Sequence, residues 1–159
     1  SAQTKKAVEV AEQMGVKLLL NQFNYSIFDR WSEEENLLGT LKDTGMGSII
    51  FSPLSQGLLT DKYLGGIPED SRAAKESGFL NKDSITEAKL AKVRKLNEIA
   101  ADRGQSLSQM ALAWILEQGA TSVLVGASKV EQIVENAAAV NNTGFSNEEL
   151  AAIEAIVAE

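Results

Sequence analysis

Three short, mostly apolar runs alternate with helical patterns along the 159-residue chain, and this alternation restricts the possible folds more than any other feature. The runs are residues 16–20, 46–51 and 121–126. Their composition is typical of strands that are covered on both faces. Strands that alternate with helices are usually parallel and joined by helical crossovers. We therefore predict an α/β fold with about three parallel strands and flanking helices.

The segments between these runs carry helical periodicity and helix-start signals. Capping boxes are predicted at Ser32, Ser84, Ser106 and Ser146, because each serine is followed three residues later by Glu or Gln. The predicted helices cover residues 4–14, 32–44, 84–102, 106–117, 129–140 and 146–159. Residues 65–83 are irregular and are predicted to form a long functional loop or to be partly disordered. A three-stranded parallel sheet has two open edges, which indicates part of a larger sheet or self-association through those edges.

Composition excludes several classes of function. The chain has 15 Lys and Arg against 22 Asp and Glu, a net charge of −7, which argues against a nucleic-acid partner. No apolar run reaches membrane-spanning length, so no membrane partner is expected. The absence of cysteine fits a reducing compartment, and we predict a cytoplasmic protein. Without His or Cys, no metal site is predicted and acid–base chemistry is left to Asp, Glu, Tyr or Lys.

The sequence "GASKVEQIVEN" after the third apolar run is the clearest candidate binding segment. In parallel α/β folds, ligands bind at the carboxyl ends of the strands. Ser128 is predicted at a helix N-terminus, where free N–H groups favour a phosphate, and Lys129 adds positive charge. The spacing of three polar residues on one helical face suits an adenosine: Gln132, Glu135 and Asn136. The alternative is that Ser128 is an ordinary N-cap and this face is solvated.

The segment after the second run, "FSPLSQG", offers hydrogen-bond donors in a tight turn. Ser52 and Gln56 can donate, and Gly57 allows the backbone to approach a ligand closely. Phe51 can stack on a flat ligand ring, although core packing is the ordinary use of a lone phenylalanine.

The segment after the first run, "NQFNYSIFDRW", combines amides and aromatic rings. The Gln22 amide can pair with a ligand carboxamide, or it can satisfy the loop backbone. Tyr25, Phe28 and Trp31 either pack this loop or line an apolar substrate mouth.

These three segments and "DSRAA", in this order, resemble the C-terminal half of an aldo-keto reductase over nearly the whole chain. The likeness is strongest to the bacterial glyceraldehyde-3-phosphate-reducing branch and to the potassium-channel β subunits. It implies that residues 1–159 form a partial NADP-dependent oxidoreductase domain, the C-terminal part of a (β/α)8 TIM barrel. It also implies NADPH as cofactor and a small-molecule carbonyl substrate that is reduced by hydride transfer.

The resemblance also assigns roles to individual residues. Gln22 would bind the nicotinamide carboxamide, Phe51 would stack on the nicotinamide, and residues 65–83 would cover the cofactor. The pyrophosphate path would be lined by Ser52, Leu54, Gln56, Gly57 and Lys62, with Arg72 near the adenosine phosphate. The adenosine end would be held by Gly126, Ser128, Lys129, Gln132, Glu135 and Asn136. Lys129 and Arg72 would favour NADPH over NADH.

The catalytic tetrad of this family, an Asp, a Tyr, a Lys and a His, has no counterpart in the sequence. The chain contains no histidine, and Tyr25 and Tyr63 stand at positions that do not match the motif. We therefore predict no catalytic residue here and no reductase activity for this chain alone, whose start resembles a cut edge. Two alternatives are a nicotinamide-binding regulatory subunit and a non-catalytic half-barrel.

Overall fold

The computed structural model describes residues 1–65 and 85–159, so the predicted role of Arg72 and most of the predicted loop 65–83 lie outside the described residues. The strands are β1 (Leu20–Asn24), β2 (Gly47–Phe51) and β3 (Ser122–Val123). The α-helices are α1 (Ala2–Gln13), α2 (Trp31–Glu34), α3 (Leu37–Asp43), α4 (Glu87–Asp102), α5 (Leu107–Glu117), α6 (Val130–Ala137) and α7 (Asn147–Ala158). Short 3₁₀ turns occupy Ser55–Gly57, Asp61–Tyr63 and Ala138–Asn141.

Within the described residues, the strands form one parallel sheet, as the sequence predicted, and their order in it is β1-β2-β3. Its register is fixed at the start of β2 by two hydrogen bonds between a buried serine and a threonine. The backbone N–H of Ser48 donates to Thr121 Oγ1 over 3.1 Å, and the backbone N–H of Thr121 donates to Ser48 Oγ over 2.9 Å. Both hydroxyls are thereby paired, which a buried polar group requires.

The prediction for the first strand was wrong by four residues. Residues 16–19 form an extended connection, and β1 begins at Leu20 and includes Asn21 and Gln22. The apolar side chains of Val16 and Leu19 are exposed, whereas the polar segment that follows pairs with β2. Backbone pairing, and not apolar composition, therefore decides where this outer strand lies. The third strand is also shorter than the predicted 121–126, because regular pairing ends at Val123.

The capping boxes at Ser106 and Ser146 are confirmed, and each serine accepts from the N–H three residues on. The capping box at Ser32 was wrong, because Ser32 lies buried inside α2 and its hydroxyl has no partner. The N-cap of α4 is Thr86, which accepts from the N–H of Lys89, and Ser84 lies outside the described residues. Local spacing therefore predicted the presence of these helices more reliably than the residue at which each helix begins.

The core lies between the sheet and the helices that cover it, with α5 at its centre. Trp114 on α5 is fully buried and its ring centroid lies 5.3 Å from that of Tyr25. In contrast to this core, apolar side chains at the two outer strands are exposed: Leu20 lies on β1 and Leu124 directly after β3. Met14, which follows α1, is 74% exposed. Within the part of the chain that the structure describes, the sheet is therefore open at both edges. None of the described helices is both long and apolar enough to cross a membrane.

Candidate functional site

A cavity of about 500 Å³ lies between the turn after β2 and the segment after β3. Both segments follow the carboxyl ends of their strands, which is where parallel α/β folds bind ligands. The predicted site residues that line this cavity are Ser52, Leu54, Gln56, Gly57, Lys62, Gly126, Ser128, Gln132, Glu135 and Asn136. Two segments about 70 residues apart in the sequence thus meet at one site.

The turn after β2 is held in an unusual backbone conformation. Ser52, Ser55 and Gln56 have φ angles of 54°, 47° and 59°, in the left-handed region that disfavours residues other than glycine. The N–H of Ser55 bonds to the carbonyl of Ser52 over 3.0 Å, and that of Gly57 to the carbonyl of Leu54 over 2.9 Å. Backbone strain of this kind is common at functional sites, where surrounding structure maintains it.

The start of α6 differs from its prediction. Its N-cap is Lys129, with no side-chain cap hydrogen bond, so Ser128 is not the ordinary N-cap of this helix. Instead, the backbone N–H of Ser128 donates to Gln132 Oε1 over 2.8 Å, and its hydroxyl lies 3.3 Å from the same oxygen. A Cβ built on Gly126 would meet no other atom within 4 Å. The wall of the cavity beside that glycine is therefore open.

Glu135 is fixed by contacts from α5. Ser108 Oγ donates to Glu135 Oε1 over 3.0 Å, and Gln109 Nε2 donates to the Glu135 carbonyl over 3.0 Å. Ser108 also lines the cavity, and sequence reasoning missed it. Its only local signal is its place in the first turn of α5, two residues after the capping serine Ser106. The contact with Glu135 depends on how α5 packs against α6.

The charges at the cavity are mixed. Lys62 contributes a positive side chain, while Asp61 and Glu135 contribute negative ones. Lys129 does not line this cavity, although it stands at the adjoining N-terminus of α6. Among the described residues, no group of three acidic side chains is arranged to hold a metal ion.

Gln22, Phe51 and Trp31 line a second cavity of about 350 Å³ beside β1. Phe51 is 39% exposed and directly precedes Ser52 of the first cavity, so the two cavities adjoin. Trp31 Nε1 donates to Asn24 Oδ1 over 2.8 Å, which orients the indole ring. The predicted cofactor residues are thus divided between two neighbouring cavities.

Tyr25 packs the loop after β1 and does not line a mouth, which corrects one of its two predicted uses. It is 1% exposed, and its hydroxyl donates to Glu33 Oε1 over 2.5 Å. Burial, with this hydrogen bond, raises the pKa of Tyr25 well above its usual range. Phe28 is half-buried against the core, so of the three predicted mouth residues Trp31 is the most exposed.

Comparison with known proteins identifies the family. A model of the aldo/keto reductase family matches residues 1–158. The chain is 49% identical over 160 residues to an L-glyceraldehyde 3-phosphate reductase of Escherichia coli O157:H7, an alignment that covers 98% of this chain and 46% of the relative. It is 39% identical over 138 residues to a probable voltage-gated potassium channel subunit beta of Oryza sativa, covering 84% of this chain and 42% of the relative.

A solved structure supports the same conclusion. The glycerol dehydrogenase of Gluconobacter oxydans matches with a TM-score of 0.73 and 28% identity, over 92% of this chain and 46% of that one. The chain therefore spans about half the length of the relatives it matches. Its three parallel strands and flanking helices are part of a TIM-barrel fold, as the sequence predicted. With its matched residues 1–158, the chain belongs to the aldo/keto reductase family.

Proposed function

We propose that these residues hold the cofactor in an NADPH-dependent reductase that converts aldehydes or ketones by hydride transfer. The observation that supports this best is the 500 Å³ cavity, which collects predicted cofactor residues from two distant segments. Bound NADPH would supply the hydride, and the protein would supply binding and orientation. The intact protein would therefore be an enzyme, with this chain as its main cofactor-binding part.

The chemistry of the two cavities fits the two ends of a dinucleotide. In the first, Ser52 and Gln56 offer donors and Lys62 a positive charge for the pyrophosphate, while Gln132 and Asn136 offer amides for the adenosine. In the second, Gln22 offers an amide for the nicotinamide carboxamide, and the exposed Phe51 offers a ring face. A preference for NADPH over NADH would come from Lys129 at the start of α6 together with Arg72.

We propose that this chain contains no proton donor for the carbonyl oxygen. It has no histidine, and its two tyrosines, Tyr25 and Tyr63, are both 1% exposed. A tyrosine that donates a proton at neutral pH needs a lowered pKa, and burial raises that of Tyr25. The isolated chain should therefore show no NADPH-dependent turnover of glyceraldehyde or its 3-phosphate, and measurable turnover would contradict this proposal.

Cofactor binding is tested by titrating the chain with NADPH and NADH and following fluorescence and thermal unfolding. Trp31 lies in the second cavity and should respond to the nicotinamide, whereas the buried Trp114 should not. Replacing Gly126 with leucine should block the first cavity without disturbing the fold, because the space beside it is open. Gly144→Leu is the matched control, since its side chain would also meet no atom within 4 Å of Cβ.

We expect saturable NADPH binding that Gly126→Leu weakens at least about tenfold, or ~1.4 kcal/mol, while Gly144→Leu leaves it unchanged. Equal binding by both variants would show that the first cavity is not the cofactor site. Absence of binding by a folded wild-type chain would show that these residues do not bind the cofactor by themselves.

A second candidate is a regulatory subunit that binds the nicotinamide cofactor without substantial turnover. Relatives named as potassium channel β subunits, in Oryza sativa and in Schizosaccharomyces pombe, favour it. Turnover by the intact protein distinguishes the two functions.

A third candidate is self-association through the open sheet edges, which the exposed Leu20 and Leu124 favour. A concentration-dependent mass in solution would support it, and a monomer at all concentrations would exclude it.

A further inference from the structure

A pair of serine hydroxyls joins the loop after β1 to the turn after β2. The Oγ atoms of Ser26 and Ser55 lie 2.9 Å apart, a hydrogen-bond distance. Ser26 is 1% exposed, and neither serine lines either of the two cavities. The pair is therefore placed to act on the site through the backbone and not through contact with a ligand.

Ser26, the member of this pair in the loop after β1, is held in place by further hydrogen bonds. Ser26 and Asp29 exchange backbone hydrogen bonds of 3.0 and 3.1 Å, and Ser26 Oγ accepts a third bond from the Asp29 N–H over 3.1 Å. Because Ser26 Oγ accepts from the backbone, its own O–H remains available to donate to Ser55. Asn24, the last residue of β1, is hydrogen-bonded to Asp29 of this loop and to Trp31 of the second cavity.

Ser55, the member of the pair in the turn after β2, lies in a backbone conformation that its surroundings must maintain. Ser52, Ser55 and Gln56 all have left-handed φ angles, which are unfavourable for residues other than glycine. Residues in these conformations persist only where their surroundings hold them. Among the described residues, one hydrogen bond joins a side chain of residues 52–57 to another segment of the chain, and it is the bond between Ser55 and Ser26.

We propose that Ser26 is a positioning residue that holds Ser55 in its left-handed conformation and thereby fixes Gln56 and Gly57 at the cavity wall. This inference rests on the proposed function, since NADPH affinity is the property that the turn would set. The same hydrogen bond also connects the two neighbouring cavities. The loop of Ser26 leads into α2, whose first residue, Trp31, lines the second cavity, and the turn of Ser55 includes Gln56, which lines the first.

The first test is the NADPH dissociation constant of Ser26→Ala, Ser55→Ala and the double variant. Each single change should weaken binding roughly three- to tenfold, which is the worth of one hydrogen bond. The double variant should bind no more weakly than the singles, because both changes remove the same bond. Ser32→Ala is the matched control: Ser32 is equally buried, but its hydroxyl has no partner. Its affinity should stay within twofold of wild type.

The second test needs no ligand and measures amide hydrogen exchange of the free chain. The N–H groups of Gly57 and Leu59 both bond to the Leu54 carbonyl inside the turn. Ser26→Ala and Ser55→Ala should accelerate exchange at these two amides and leave that of Met110 at the start of α5 unchanged. A merely structural role would accelerate exchange throughout the chain and would overturn the proposal.

The two tests separate the outcomes. If wild type binds NADPH and both alanine variants bind as tightly as Ser32→Ala, Ser26 is not a positioning residue. If wild type does not bind, these residues do not bind the cofactor by themselves, and exchange at Gly57 and Leu59 still decides the role of Ser26. Should Ser26→Ala fail to fold, Ser55→Ala removes the same hydrogen bond from a less buried position and gives the answer.

Discussion

Replacing Arg103 with methionine removes the side chain that fixes the segment between α6 and α7. The Arg103 side chain is 4% exposed, and its guanidinium donates to Glu149 over 2.8 Å. It also donates to the carbonyls of Gly144 and Asn142, over 3.0 and 3.2 Å, and lies 3.6 Å from the centroid of the Phe145 ring. Methionine retains the apolar stem of arginine but none of these interactions.

The size of the effect follows from these contacts. The charge-assisted bond to Glu149 is worth about 1.5–3 kcal/mol and the contact with Phe145 about 0.5–2 kcal/mol. Part of the loss is recovered, because Glu149 is 30% exposed and can be rehydrated. We therefore expect Arg103→Met to lower the free energy of unfolding by about 2–4 kcal/mol, near the lower range for breaking a buried ion pair.

Urea unfolding followed by far-UV circular dichroism measures this loss, and an unchanged denaturant slope would show that the unfolded state is not altered. Arg94→Met is the matched control, because Arg94 is 46% exposed and, among residues 1–65 and 85–159, pairs with the carboxylate of Glu87 alone. Its cost should stay below about 0.5 kcal/mol. If the two variants lose equal stability, or if Arg103→Met loses less than about 1 kcal/mol, the reasoning from burial is refuted.

Changes at three other positions test packing, charge and ligand binding separately. Gly47→Ala places a Cβ 3.1 Å from Thr121 Oγ1 and should cost about 1 kcal/mol in urea unfolding. Glu149→Gln should flatten the acid loss of thermal stability: the backbone N–H of Ser146 holds the pKa of Glu149 below its usual range, so its contribution is present at neutral pH and is lost as the pH falls through that lowered pKa. Lys62→Gln should weaken NADPH binding about tenfold and reduce its salt dependence.

Each of these changes has a matched control or a clear contrary result. Gly144→Ala, whose added Cβ would meet no neighbouring group within 4 Å, should be neutral, and an equal cost at both glycines would refute the steric argument. Lys42→Gln lies on α3, lines neither cavity and should not change affinity. For Glu149→Gln, a melting-temperature profile between about pH 7 and pH 3 parallel to that of wild type would contradict the assigned pKa direction.

The sequence was informative where structure depends on neighbouring residues. The capping boxes at Ser106 and Ser146 were predicted correctly, because a serine and a side chain three residues later meet within one helical turn. The same spacing failed at Ser32, because a tight turn between Ser26 and Asp29 leads the chain into a helix that begins at Trp31, and the serine is buried inside that helix. Local spacing indicates a possible helix cap, and the path of the chain into the helix decides whether that cap forms.

The first strand shows a second limit. Its apolar run ends where pairing begins, since β1 is an outer strand and Asn21 and Gln22 take their places in the ladder with β2. An outer strand has one unpaired side, so its composition is less restricted than that of a central strand. Apolar content therefore placed β2 correctly and β1 four residues too early.

The order of the segments in this sequence determined the fold class, because strands and helices that alternate leave few topologies open. It also placed the polar residues at strand ends and excluded imidazole and thiol chemistry from this chain. Only the tertiary structure decided that the cofactor residues divide between two cavities, that Ser108 meets Glu135, and that Ser26 meets Ser55. Such contacts join residues 27 and 29 positions apart through the packing of separate elements, and no local pattern specifies that packing.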